Sequence, residues 1–244
     1  MHVDERTWWS PSLGQDMTLK VYGHDGRPLV AFPSQDGRWW DFEGWGMVDS
    51  VAGFIDAGRL SVVAVDGIDW QSWTNEAIPP ADRAGRHDDY DRYLADEVMP
   101  FVRDLTGWER AWATGTSMGG YHAANVLFRH PDLFDGLVAM SGLYQLGLFV
   151  GDDASEGVYL NSPLRYLPNL EDRWYLDRIR AARLAFAVGR GAYEDAMLAD
   201  TRAMGDVLEA KGIPAIVDEW GEDVNHDWPW WRKMLPHYLE RLGV

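Results

Sequence analysis

Gly115-Thr116-Ser117-Met118-Gly119 brings together the residue types that a nucleophilic serine requires. In a Gly-x-Ser-x-Gly turn between a strand and a helix, the serine backbone is strained and its Oγ stands exposed at the tip. Small residues two before and two after Ser117 let the flanking strand and helix close on the turn, and Gly120 relieves crowding further. The turn also aims the N–H of Met118 at an incoming carbonyl oxygen, which makes that amide half of an oxyanion hole at a helix N-terminus. The chemistry to expect is attack on a carbonyl carbon.

A serine hydroxyl is a weak nucleophile until a base takes its proton. The chain has seven histidines. His2 and His24 fall in a tail and a turn, His87 opens a helix and His122 follows the elbow. His130 ends a helix, and His237 lies inside the last one. His226 alone follows the last expected strand, in the loop Glu222-Asp223-Val224-Asn225-His226-Asp227. An elbow serine is followed along the chain by its acid and then its histidine. That order selects His226 as base and points to Gly189–Asp195 for the acid. Glu194 is preferred and Asp195 is the alternative, because Asp195 lies further into the first turn of the following helix and either could be only a cap. The second oxyanion amide belongs in the loop from Pro33 to Asp41, with Gln35 first and Ser34 second. Asp223, His226 and Asp227 share one turn with no second ligand cluster, so neither a metal nor another cofactor is expected.

These groups need a scaffold that presents loops at one end of a sheet. Short apolar runs at Met17–Tyr22, Pro28–Phe32, Leu60–Val65, Arg110–Thr114, Leu137–Met140, Leu184–Val188 and Ala215–Val217 read as strands. Helical stretches are expected at 47–57, 87–105 with a bend at Pro100, 121–129, 194–211 and 230–242, and a long loop at 71–86. The alternation describes an α/β protein with a mostly parallel, doubly wound sheet, helices on both faces and no large cap, in one domain over residues 1–244. Ligands are expected at the carboxyl ends of the strands.

The composition narrows the partners. Thirty-nine acidic against 22 basic side chains give a net charge of −17, which disfavours nucleic acid and anionic membranes. There is no cysteine, so disulfides, thiolate catalysis and Cys-ligated zinc are excluded. No apolar run approaches a bilayer span and Met1–Ser10 has no signal-like apolar region, so a cytoplasmic protein is expected. A homo-oligomer stays open.

The Gly-Thr-Ser-Met-Gly-Gly elbow, the Arg129-His130-Pro131-Asp132-Leu133-Phe134 segment and the Asn225-His226-Asp227-Trp228 loop together resemble the esterase family of α/β-hydrolases. That family includes S-formylglutathione hydrolases, enterochelin esterases, feruloyl esterases and mycolyltransferases. The resemblance covers nearly the whole chain and implies the α/β-hydrolase fold. It places Ser117 and His226 at the family's nucleophile and base, an Asp or Glu after the penultimate strand as the acid, and Gln35 near the first oxyanion amide. Here that loop reads Phe-Pro-Ser-Gln-Asp-Gly, a departure from the usual His-Gly or Asp-Gly start.

Fourteen tryptophans are many for this length. Trp39 and Trp40, in the oxyanion loop, and Trp228, beside the base, are expected to bind substrate through their ring faces. A small open site of this kind suits a short-chain or aryl ester, hydrolysed through an acyl-enzyme. Transfer of the acyl group to another acceptor is the first alternative. A non-catalytic binding protein on the same fold is the second.

Overall fold

The computed structural model describes all residues, 1–244. Its centre is set by chain segments with no polar side to show. Leu60–Val65 is valine-rich, with Ser61 its one polar side chain, and is buried at every position, as suits an interior strand. Eight strands form one sheet: β1 (Val3–Ser10), β2 (Gln15–Tyr22), β3 (Arg27–Phe32), β4 (Leu60–Val65), β5 (Ala111–Thr116), β6 (Phe134–Met140), β7 (Arg183–Val188) and β8 (Ile216–Glu219). Their order across the sheet is β1-β2-β4-β3-β5-β6-β7-β8. β2 runs antiparallel to β1 and to β4, and every other pairing is parallel. This is the α/β-hydrolase arrangement.

Successive strands step one way from β3 to β4 and then cross back to β5 on its other side. A crevice must open above the carboxyl ends of β3 and β5, where the two connections diverge. Phe32, the last residue of β3, pairs with Gly115, two residues before Ser117.

Helices cover both faces. Helix α1 (Pro80–Tyr93) continues through a wide π turn at Leu94–Val98 into α2 (Met99–Thr106). With α3 (Met118–Arg129), α4 (Arg173–Ala181) and α5 (Asp195–Ala210), they bury the larger core, which includes Val63, Tyr90, Val102, Leu127, Ile179 and Met204. The other face is covered by the short helices of residues 41–56 and by α6 (Trp228–Leu242), over a core that includes Val62, Trp112, Phe54 and Leu235. No helix is long and apolar enough to cross a membrane.

Two features depart from the sequence expectations. The N-terminal tail is strand β1, paired along its full length with β2. Its Asp-Glu-Arg run is tolerated because an edge strand has one row of unpaired backbone and charged side chains protect it. The supposed loop at 71–86 ends early, since α1 starts at Pro80, a first-turn position where the missing N–H costs nothing. The α-helix is interrupted at Pro100 as expected, by the π turn just ahead of it, and Pro100 lies in the first turn of α2. Between β6 and α4, short helices at Gly147–Val150, Glu156–Leu160 and Pro163–Tyr166 form a small excursion. Its Leu146, Val150 and Val158 pack with Trp73, Ala84 and Tyr121, so it lies against α1 and α3.

Candidate active site

β5 ends at Thr116 and α3 begins at Met118, leaving Ser117 alone in the turn at φ 55° and ψ −122°. A serine adopts such a backbone only where the surroundings over-determine it. They do so here. Its N–H donates to the Met140 carbonyl at 2.9 Å, and its own carbonyl accepts from Gly120 N at 2.9 Å and Tyr121 N at 3.2 Å. A Cβ on Gly115 would collide with the Gly119 backbone. One on Gly119 would lie 2.5 Å from the Pro33 carbonyl oxygen and 2.6 Å from that of Phe32. The elbow is therefore pressed against the start of the Pro33–Trp40 loop, and only hydrogen fits between them.

That loop is held from behind. Asp69, 2% exposed, follows β4 and places Oδ1 2.9 Å from His122 Nε2, on the second turn of α3. Its Oδ2 accepts the N–H of Asp36 at 3.3 Å. Asp36 has φ 55°, and its side chain accepts from Thr74 Oγ1 at 2.6 Å. The chain ahead of Asp36, with Ser34 and Gln35, is thus fixed relative to the helix that carries the elbow. Behind His122, burial holds the His87 imidazole well below its ordinary pKa, so that ring is neutral.

The acid and base arrive on two loops joined by their backbones. Gly191 N–H donates to the Val224 carbonyl at 2.8 Å, and His226 N–H to the Ala192 carbonyl at 3.0 Å. Ala192 N–H also donates to Asn225 Oδ1 at 2.8 Å. A Cβ on Gly189 or Gly191 would strike Val224 or Asn225. This packing sets Glu194 Oε2 3.1 Å from His226 Nδ1. Glu194 is 1% exposed, whereas Asp195 opens α5 and faces solvent. The structure thus brings Glu194, and not Asp195, to the histidine. His226 Nε2 has no intramolecular hydrogen bond.

Two further side chains complete the acid's surroundings. Ser141, just past β6, approaches Glu194 Oε1 to 2.6 Å, and Trp231 Nε1 lies 3.0 Å from Ser141 Oγ. Sequence reading passed over Ser141. The available signal was its place as a polar residue at the carboxyl end of a parallel strand.

Ser117 and His226 line one cleft of about 290 Å³ with Ser34, Gln35, Asp227, Trp228 and Trp231. Gln35 shares this cleft with the nucleophile, and Met118 follows Ser117 directly as the first residue of α3. Trp228 forms part of the wall, stacked on Trp45 with ring centroids 5.4 Å apart. Trp39 and Trp40 do not line the cleft, contrary to expectation. Their rings gather with Trp70 around the Arg38 guanidinium, at 4.7 and 5.1 Å, and Trp39 Nε1 donates to Glu5 on β1. Arg38 is itself anchored on Asp66 by two hydrogen bonds of 2.6 and 2.9 Å. No residue of the 147–166 excursion lines the cleft. No group of three or more acidic or histidine side chains is arranged to hold a metal ion. A larger cavity of about 400 Å³ lies at the far end of α3, between Phe128, Tyr159, Tyr166 and Tyr175, away from these groups.

A family model described as "Putative esterase" matches residues 10–242. No curated protein sequence matches the chain. Among solved structures, a ferulic acid esterase superposes with a TM-score of 0.77 at 18% identity, covering 99% of this chain and 96% of its own. An S-formylglutathione hydrolase from Staphylococcus aureus gives 0.70 at 16%, covering 99% and 96%. MPT51 from Mycobacterium tuberculosis gives 0.70 at 19%, covering 100% and 98%. At these identities the superpositions speak for the fold.

Proposed function

The chain belongs to the "Putative esterase" family, and from that membership and its cleft we propose that it is a serine carboxylic-ester hydrolase using Ser117, His226 and Glu194. The observation that carries the reading is a convergence on one cleft. A serine strained into an elbow shares one cleft with a histidine whose Nδ1 is held by a buried carboxylate. Burial, with one carboxylate oxygen held by Ser141 and the other on His226 Nδ1, supports for Glu194 the role of orienting the imidazole and stabilising its cationic form.

In this reading His226 Nε2 takes the Ser117 hydroxyl proton as Oγ bonds to the ester carbonyl carbon. The Met118 N–H and the Gln35 N–H receive the negative charge that forms on the carbonyl oxygen. Protonated His226 then gives its proton to the departing alcohol oxygen as the ester C–O bond breaks, leaving an acyl-Ser117 enzyme. Water, deprotonated by the same nitrogen, attacks the acyl carbon, and the carboxylic acid leaves as Ser117 regains its proton.

The cleft volume is at the lower end for small-molecule sites, roughly 300 Å³ and upward. Its wall offers the Trp228 ring backed by Trp45. Both features support short-chain or aryl esters. Exposed Gln35 at the rim leaves the acyl carbon open to water, which supports hydrolysis over transfer to a second acceptor.

The test is intact-mass analysis after reaction with a fluorophosphonate probe. Wild type should gain one adduct, and Ser117→Ala and His226→Ala none. Folded wild type that gains no adduct would sink the proposal in favour of a binding protein on this fold.

A further inference from the structure

The polar atoms behind Glu194 carry a direction. An indole N–H can only donate, so at the 3.0 Å contact with Trp231 Nε1 the Ser141 oxygen is the acceptor. Ser141 has one hydroxyl proton, and its remaining partner is Glu194 Oε1 at 2.6 Å. Oε1 therefore accepts, and a proton cannot reside there. One proton is left to place between Glu194 Oε2 and His226 Nδ1, 3.1 Å apart. Imidazole is intrinsically the stronger base of the two, and the other carboxylate oxygen is already occupied by the Ser141 hydroxyl. The proton therefore sits on Nδ1, and the lone pair of the neutral ring is on Nε2.

We propose that Trp231 and Ser141 are positioning residues that set the tautomer of His226 through Glu194. The proposal rests on the esterase reading of the same site. The arrangement is a closed ring of four side chains, because Trp231 also packs edge-on to His226, with centroids 4.9 Å apart at 89°. Ser141 is built for the task. It is fully buried, its φ is 49°, and its N–H is pinned to the Ala187 carbonyl at 2.7 Å. A non-glycine residue held in the left-handed region marks a place where backbone strain is retained. Here that conformation turns Oγ toward the acid. Trp231 and His226 lie on consecutive pieces of chain, Glu194 precedes α5 and Ser141 follows β6. One set of hydrogen bonds thus fixes three separate elements to the base.

The test uses Ser141→Gly and Trp231→Phe in the full chain. Glycine accepts the backbone angle without strain, so the first variant removes the hydroxyl without endangering the fold. Phenylalanine keeps a ring against His226 and removes the donor alone. Hydrogen bonds to charged groups are worth roughly a 10- to 100-fold change. Ser141→Gly should accordingly lower kcat on a p-nitrophenyl ester by about that factor, and Trp231→Phe by about 3- to 10-fold, with KM unchanged in both. The low-field proton resonance of His226 Nδ1–H, identified by its loss in His226→Ala, should shift in both variants. A purely structural role would move neither kcat alone nor that resonance. Wild-type kcat and an unmoved resonance in both variants, in a protein that labels with fluorophosphonate, would overturn the proposal and leave the esterase reading standing. A shifted resonance in a protein that never labels would overturn the esterase reading and uphold the hydrogen-bond direction.

Discussion

Replacing the nucleophile by glycine should make the protein more stable, whereas replacing it by alanine should leave stability nearly unchanged. Ser117 sits at φ 55° and ψ −122°, and its side chain makes no capping hydrogen bond to α3. A non-glycine residue in such a region costs about 1–3 kcal/mol. Ser117→Ala keeps the Cβ and therefore the strain, whereas Ser117→Gly removes both. Glycine gives back about 0.4–1 kcal/mol through the greater freedom of the unfolded chain. The glycine variant should thus exceed the alanine variant by about 1 kcal/mol, or about 2–4 °C in Tm for a chain of this size. Differential scanning calorimetry of the two inactive proteins measures this without interference from catalysis. A glycine variant melting at or below the alanine variant would refute the claim that the elbow stores strain at Ser117.

Three other outcomes follow from particular contacts. Gly119→Ala would place a Cβ 2.5 Å from the Pro33 carbonyl oxygen, a backbone atom that cannot swing away; it should cost about 1–3 kcal/mol in urea unfolding and reduce fluorophosphonate labelling. Trp228→Ala should raise KM for aryl esters several-fold more than for acetate esters of simple alcohols, while Trp39→Ala, outside the cleft, should leave both KM values alone. Burial pushes the Glu97 carboxyl up, but donors from Trp8, Ser12 and Ser10 outweigh it and hold the group below its ordinary value. A depressed carboxylate stabilises the fold above its unfolded value near pH ~4.3 and loses that contribution as pH falls through the folded one. Glu97→Gln should therefore lower Tm at pH 7, and the gap to wild type should close below about pH 4.

What could be read ahead of the structure follows a physical divide. β4 was legible because its burial on both faces favours a nearly continuous apolar run, and the elbow because its glycines answer a local steric need. β1 was not, since an edge strand can be built from Asp4, Glu5 and Arg6 provided a neighbour offers its backbone. Residues 80–86 looked like loop because their helix is stabilised by packing, with Arg83 donating to the Ile78 and Phe149 carbonyls. Glu194 and Asp195 were separable only by where α5 starts, a boundary that sequence places within a few residues at best. The directions of Trp39 and Trp40 depend on Arg38, and that of Arg38 on Asp66, 28 residues further along the chain. Ser141 shows the deepest limit, because nothing in Met-Ser-Gly announces a serine at φ 49°.

The junction between the acid and base loops bears on how such a protein can change over generations. Three of its hydrogen bonds, from Gly191 to Val224, from His226 to Ala192 and from Arg190 to Gly221, use main-chain atoms alone. Main-chain bonds survive substitution of the side chains they carry. The side chains of Tyr193, Glu222 and Asp223 are therefore freer to change, while the glycines, Asn225 and Arg190, whose Nε donates to the Trp220 carbonyl at 3.2 Å, keep the loops in register. Tyr193, 85% exposed, already stands immediately beside the acid without taking part in its hydrogen bonding. The surface of these loops can be rewritten while the spacing of Glu194 and His226 is inherited unchanged, and a mutational scan should find tolerance and constraint alternating along them.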